Sequence, residues 1–148
     1  MGMFTAFNIN ASGMTAQRYR MDIISENVAN ANTTRTEDGT PYRRKMVYFE
    51  EKQPTFGACL NQAKGQYTSG QGVKVTGVYE DTKTEMKMVY DPSHPDANED
   101  GYVYYPNVDI VTEMTNMIDA SRAYEANATA FQASKTIAMK GIDLASQV

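Results

Sequence analysis

Residues 110–145, IVTEMTNMIDASRAYEANATAFQASKTIAMKGIDLA, contain no proline and much alanine, and one series through them advances by fours and threes. Its members are Ile110, Met114, Met117, Ser121, Tyr124, Ala128, Phe131, Lys135, Ala138, Ile142 and Ala145. A spacing of about 3.5 residues keeps one stripe of a helix turned toward a partner helix and winds the pair left-handedly. The stretch therefore predicts a coiled-coil helix from about residue 108 to 145, about 55 Å long at about 1.5 Å per residue. A matching series opens the chain, at Phe4, Phe7, Ala11, Met14, Arg18, Met21, Ser25, Val28 and Asn32. Polar members interrupt both series, which weakens a seam of only two helices and leads us to expect further chains against it.

The middle of the chain has a different character. Residues 26–34 are rich in Asn and Thr, whose short side chains compete for backbone hydrogen bonds, so the first helix should end there. Residues 37–41, with Gly39 and Pro41, read as a turn. Tyr42 to Phe49 are rich in strand formers, and two-residue alternation at Val73 and Val75 and from Thr84 to Tyr90 predicts further strands. Residues 53–70 are expected to be irregular, and Asp91 to Asn107 to be a connector ending in an extended aromatic run. Asn107 or Asp109 is placed to cap the last helix, with Asp109 and Glu113 at the positive end of its dipole. The expected fold is α+β: a helical stem from residues 1–36 and 107–148, with 37–106 supplying the connector and a small antiparallel β element.

Composition narrows the function. At 148 residues and 41% apolar, the chain suits one domain, with a middle too small to bury its long helices. The formal charge of −4, with Lys and Arg scattered, leaves no basic footprint for nucleic acid. Arg18 and Arg20 interrupt the region where a cleavable signal would need an unbroken apolar run, and Ala6 breaks a myristoylation pattern. No apolar run approaches the roughly 20 residues that span a bilayer. Cys59 is the lone cysteine and reads as a small packed hydrophobe.

Few side chains suggest chemistry. Asp96, Asn98, Asp100 and Gly101 match the opening of a calcium-binding EF-hand loop, but Asn107 stands where the bidentate Glu belongs, so a turn is the favoured reading and a calcium-responsive module the alternative. His94-Pro95-Asp96 matches a chaperone J-domain tripeptide without the flanking basic helices, and the single histidine has no second imidazole or nucleophile near it in sequence. No catalytic residue and no cofactor is expected. Tyr102, Tyr104 and Tyr105 suit either intramolecular cover or an intersubunit contact.

Asn27, Ala29, Asn30 and Thr33 resemble the N-x-A-N-x-x-T signature of the bacterial flagellar rod and hook axial proteins. The blocks 41–45, 91–96, 101–108 and 121–127 resemble the proximal-rod branch of that family, nearly end to end. One departure from other axial proteins is the longer interval between Thr33 and Pro41-Tyr42-Arg43. What the resemblance implies is a non-enzymatic subunit of the periplasmic drive shaft, exported by the flagellar type III apparatus and partnered by its own copies and neighbouring rod proteins. Phe4, Phe7, Met14, Met21, Val28, Ile110, Met114, Met117, Tyr124, Phe131 and Ile142 are then the expected intersubunit contacts. Ordering the terminal helices costs about 1 to 2 kcal/mol per residue in backbone freedom, which assembly would have to offset.

Overall fold

Two long helices and two small sheets follow from these patterns. The computed structural model describes residues 3–54, 56–65 and 70–146. In order along the chain come α1 (Met3–Ala29), β1 (Lys45–Glu51), α2 (Phe56–Ala63), β2 (Val73–Glu80), β3 (Lys87–Tyr90), β4 (Tyr102–Tyr105) and α3 (Ile110–Ser146). The fold is α+β, as the sequence predicts. α1 stops in the Asn-rich run, where the Asn30 side-chain amide donates to Glu26 O at 3.0 Å and the Thr33 hydroxyl donates to Asn30 Oδ1 at 3.1 Å. Asp109 caps α3: its carboxylate accepts from the Val111 N–H at 3.3 Å and from the Thr112 hydroxyl.

The chain divides into two compact units. The first joins Met1–Tyr19, Phe49–Thr76 and Ala120–Val148, and the second joins Arg20–Tyr48 and Gly77–Asp119. In the first, Phe7 meets Phe131 edge-on at 4.9 Å, Ala16 and Ala120 are buried, and Gly13 lets α3 come close. A Cβ on Gly13 would lie 2.8 Å from Asn127 Oδ1, and Asn127 is itself held by its amide bond to Ala123 O. In the second unit Ile24, Ala31, Tyr42 and Val103 form the buried core.

β1 pairs with β2, and the partner numbers run in opposite senses: Arg44 O accepts from Asp81 N, and Lys52 N donates to Gly72 O. The pairing is therefore antiparallel. β3 and β4 are also antiparallel, with Met88 opposite Tyr104 and Tyr90 opposite Tyr102. The aromatic run expected as a connector is thus a strand. Asn98 makes this possible, because its side-chain oxygen accepts from the Asp100 and Tyr102 N–H groups and reverses the chain. Three further expectations are corrected: the alternation from Thr84 yields a strand only from Lys87, the stretch expected to be irregular contains α2, and Cys59, expected to be packed, is exposed on α2. Residues 55 and 66–69 of that stretch lie outside the described residues.

Several of the most buried residues in and just after the long helices lie one position before the predicted series. Ile24, Asn27 and Ala31 are buried, each one residue before Ser25, Val28 and Asn32; Glu113 and Ala120 are buried, each one residue before Met114 and Ser121. One residue turns a helix by about 100°, so at these positions the series lies beside the buried side chains, whereas Phe7 and Phe131 of the same series pack on each other. Small and hydrogen-bonded side chains take the seam there.

Glycines test this packing. At Gly72, φ is +89° and a Cβ would collide with the Ser12 side chain, whose hydroxyl accepts from Val73 N–H at 3.1 Å. At Gly141, inside α3, a Cβ meets nothing within 4 Å. Thermal melts should show Gly72→Ala losing about 2 kcal/mol or more, and Gly141→Ala gaining about 0.5–1 kcal/mol from reduced backbone entropy.

Candidate functional site

Two features of the second unit stand out, a saturated polar anchor and an open apolar face. Asn27 sits two residues before the end of α1 and is 1% exposed. Its amide nitrogen donates to Lys45 O at 2.8 Å and to Glu113 Oε2 at 2.9 Å; its oxygen accepts from Tyr42 OH and Lys45 N–H, both at 2.9 Å. All the hydrogen-bonding capacity of an amide side chain is used. Asn27 thereby ties α1 to the start of β1 and to the first turn of α3.

Glu113 is as deeply buried as Asn27, and its charge is met by the Arg44 guanidinium. Oε1 accepts from Arg44 Nε at 2.9 Å and from a terminal guanidinium nitrogen at 2.7 Å, and from the Asn116 amide at 3.2 Å. Such a two-pronged pair stays favourable on burial because its remaining lone pairs are occupied. Around it, Arg44 N–H donates to Asn107 Oδ1 at 2.8 Å, and the Asn107 amide donates to Asp81 O at 2.9 Å. Of the two candidate caps for α3, Asn107 thus serves this network and Asp109 does the capping.

Titration follows these contacts. The Thr84 hydroxyl and the Thr84 and Lys83 N–H groups hold the Asp81 carboxyl below its ordinary range, outweighing its burial. Burial, and then the nearby Glu26, Glu80 and Glu113 carboxylates, push the Tyr42 phenol well above its usual value.

The open face lies over the same helices. Ser25, Val28 and Ala29 from α1 and Met114, Met117 and Ile118 from α3 line a hollow of about 410 Å³. Met114 is 58% exposed, Ile118 52% and Val111 72%. Of the expected contact residues in this unit, Val28, Met114 and Met117 therefore come together at one surface, with Ile110 exposed and Met21 half-buried nearby in sequence. In the first unit Phe4, Tyr124 and Ile142 are exposed, Phe7 and Phe131 pair with each other, and Met14 is half-buried.

Signature residues divide between the two features. Asn27 is the hub, Ala29 lines the hollow, and Asn30 and Thr33 close the helix end. Sequence reasoning missed Glu113 as a buried ion, since an acid in a first turn reads as a dipole partner; the signal lay in Arg44, within one of the family-like blocks. Tyr102 packs edge-on against Tyr90 at 5.2 Å, while Tyr104 is exposed. In the loop that matches a calcium-binding opening, Asp96 accepts from the Thr34 hydroxyl at 2.8 Å and pairs with Arg35, and the Asn98 oxygen is engaged in its turn. Among the described residues no group of three Asp, Glu, His or Cys is placed to hold a metal ion, and no helix is long and apolar enough to cross a membrane.

Known proteins resemble this chain over nearly its full length. Residues 7–35 match the family described as flagella basal body rod protein, and residues 99–144 match the C-terminal family of the flagellar basal body rod FlgEFG proteins. A Bacillus subtilis protein named flagellar basal-body rod protein FlgC is 45% identical over 149 residues, covering 97% of this chain and 99% of the relative. Proteins of the same name from Borreliella burgdorferi and Escherichia coli O157:H7 are 44% and 39% identical, covering 93% and 97% of this chain and 93% and 98% of their own lengths.

The anchor makes two measurable demands on stability. Replacing Asn27 with Ala strands the Glu113 carboxylate oxygen and the Tyr42 hydroxyl, and chemical denaturation should show a loss of about 3 kcal/mol or more. Because the folded-state pKa of Tyr42 is raised, its contribution is whole below the unfolded value of about 10 and is lost as pH climbs above it. Melting temperature followed across alkaline pH should therefore fall less steeply in Tyr42→Phe than in the native chain.

Proposed function

This chain belongs to the FlgC family of flagellar basal-body rod proteins, and from that membership we propose a structural subunit that polymerises through its terminal helices in the proximal rod. The observation that carries this reading is the apolar face left open on α3, with Ile110, Val111, Met114 and Ile118 all exposed. Burying such side chains contributes about 1.5–3 kcal/mol each, a gain available only when another helix covers them. Phe4, Phe7, Met14, Met21, Val28, Met117, Tyr124, Phe131 and Ile142 are proposed to take part along the two helices. Residues 1–36 and 107–148 then act as the stem, and the β element lies outward with Tyr104 available for a neighbour.

In this reading the chain passes through the flagellar type III apparatus, enters the periplasmic part of the basal body, and is needed for assembly and motility. Its work is mechanical. Packed helices resist shear, so torque passes from subunit to subunit with no cofactor and no catalytic step. The partners are copies of this chain and the adjoining rod proteins.

Removal of residues 1–30 or 110–148 should abolish incorporation into basal bodies isolated from flagellated cells, and motility with it. A milder variant, Met114→Glu with Ile118→Glu, should keep the native circular dichroism spectrum and lose incorporation by about tenfold or more. A truncated chain that still built a working rod would refute the helix-bundle mechanism.

A further inference from the structure

Charge is distributed unevenly along α3. From Asp109 to Ser121 the chain carries Asp109, Glu113 and Asp119 and no base, and Arg44 already neutralises Glu113. Between Ala130 and Leu144 it carries two bases, Lys135 and Lys140, and one acid, Asp143. Arg122 marks the end of the acidic stretch. Both stretches are also apolar and open to solvent: Ile110, Val111, Met114 and Ile118 at the start, and Ile137, Met139, Ile142 and Leu144 toward the end.

The two stretches differ in form. At the start, α1 and α3 together make the hollow lined by Ser25, Val28, Ala29, Met114, Met117 and Ile118. Acids flank it on both walls, since Asp22 lies one turn before Ser25 on α1 and Asp119 follows Ile118 on α3, both exposed, and one exposed base, Arg122, stands a turn past Ile118 as the counterpart of Asp143 in the other stretch. Toward the end, residues at i, i+4 and i+7 share a helix side, so Lys135, Met139 and Ile142 make a stripe of one base and two apolar side chains. Lys140 stands beside that stripe, and both lysines are exposed.

Resting on the rod-subunit reading, we propose that the acid-flanked hollow of one molecule receives residues 135–144 of α3 from a second copy of this chain. Both stretches belong to one unbroken helix, so the segment that fills a hollow comes from another molecule. Apolar side chains enter the hollow while lysines meet the acids at its margins, which sets orientation and register as well as attraction. Because hollow and segment are different surfaces, the contact is heterologous: each molecule that receives one segment still offers its own. Such a contact propagates instead of closing on a pair.

The test uses full-length chains in a Cys59→Ser background, since Cys59 is exposed. A chain with Ile118→Cys is mixed with one carrying Ile142→Cys under mild oxidation, a disulfide forming only where the two Cα atoms come within about 7 Å. The mixture is expected to give cross-linked dimers well above the yield of either chain alone. Lys135→Glu with Lys140→Glu in the donor chain should cut that yield about tenfold, and Asp22→Lys with Asp119→Lys in the acceptor should restore it. Circular dichroism checks that every variant is folded. Equal cross-linking of the Ile118→Cys chain to itself, a yield indifferent to charge reversal, or no cross-link at all would overturn the contact. Isolated basal bodies keep the two readings apart: rods that contain a chain bearing both cysteines without the cross-link refute this contact alone, whereas native chain absent from rods refutes the rod-subunit reading.

Discussion

Everything in the second unit depends on the side chain of Asn27. Its four hydrogen bonds hold the end of α1 against Lys45 and Glu113, which lie far apart in sequence. An apolar residue there would pack, but would leave the Lys45 N–H and O and a Glu113 oxygen without partners in a dry interior, each at about 1–3 kcal/mol. A residue with fewer hydrogen-bonding atoms would strand at least one of them. The amide is demanded by its surroundings, and the surroundings by the need to bring the two ends of the chain together at one register.

That polar seam has a consequence for the rest of the helices. A helix has room for more than one stripe, and when Asn27 and Glu113 take the inner one in this unit, the larger apolar side chains are turned aside. Met114 and Ile118 are therefore outside because the inside is occupied, with hydrogen bonds as the glue. An interior held this way tolerates few substitutions. An apolar outer face tolerates many partners. The first serves to define one fold; the second is the surface on which the proposed contacts with other rod proteins would form.

Legibility from sequence tracks the range of the forces involved. The two long helices were readable because their apolar spacing persists over many turns without proline, and the end of α1 because short polar side chains disrupt a helix locally. α2 escaped because its eight residues include Gly57 and follow Pro54, leaving too few turns for a period to show. β4 escaped because its flanks are rich in Asp, Asn and Pro, whereas Asn98 uses that chemistry to reverse the chain into a pairing with β3. Of the site, the signature residues Asn27 and Thr33 were visible through resemblance. Arg44 and Glu113 were not visible as a pair, since nothing local links residues 69 apart in sequence.

The one-position offset of the seam follows from the same difference in range. Periodicity identifies a stripe by hydrophobicity alone, so it selects Met114 over Glu113 and Val28 over Asn27. Burial instead selects whatever satisfies its neighbours, and a carboxylate matched by Arg44 and an amide is cheaper to enclose than it is to replace by a methionine that leaves Arg44 and Asn27 unpaired. At Val28 and Met114 the stripe that hydrophobicity marks is then left at the surface, lining the hollow. An apolar period running one residue beside a polar seam is, in this part of the helices, the trace of a surface that hydrophobicity alone reads as core.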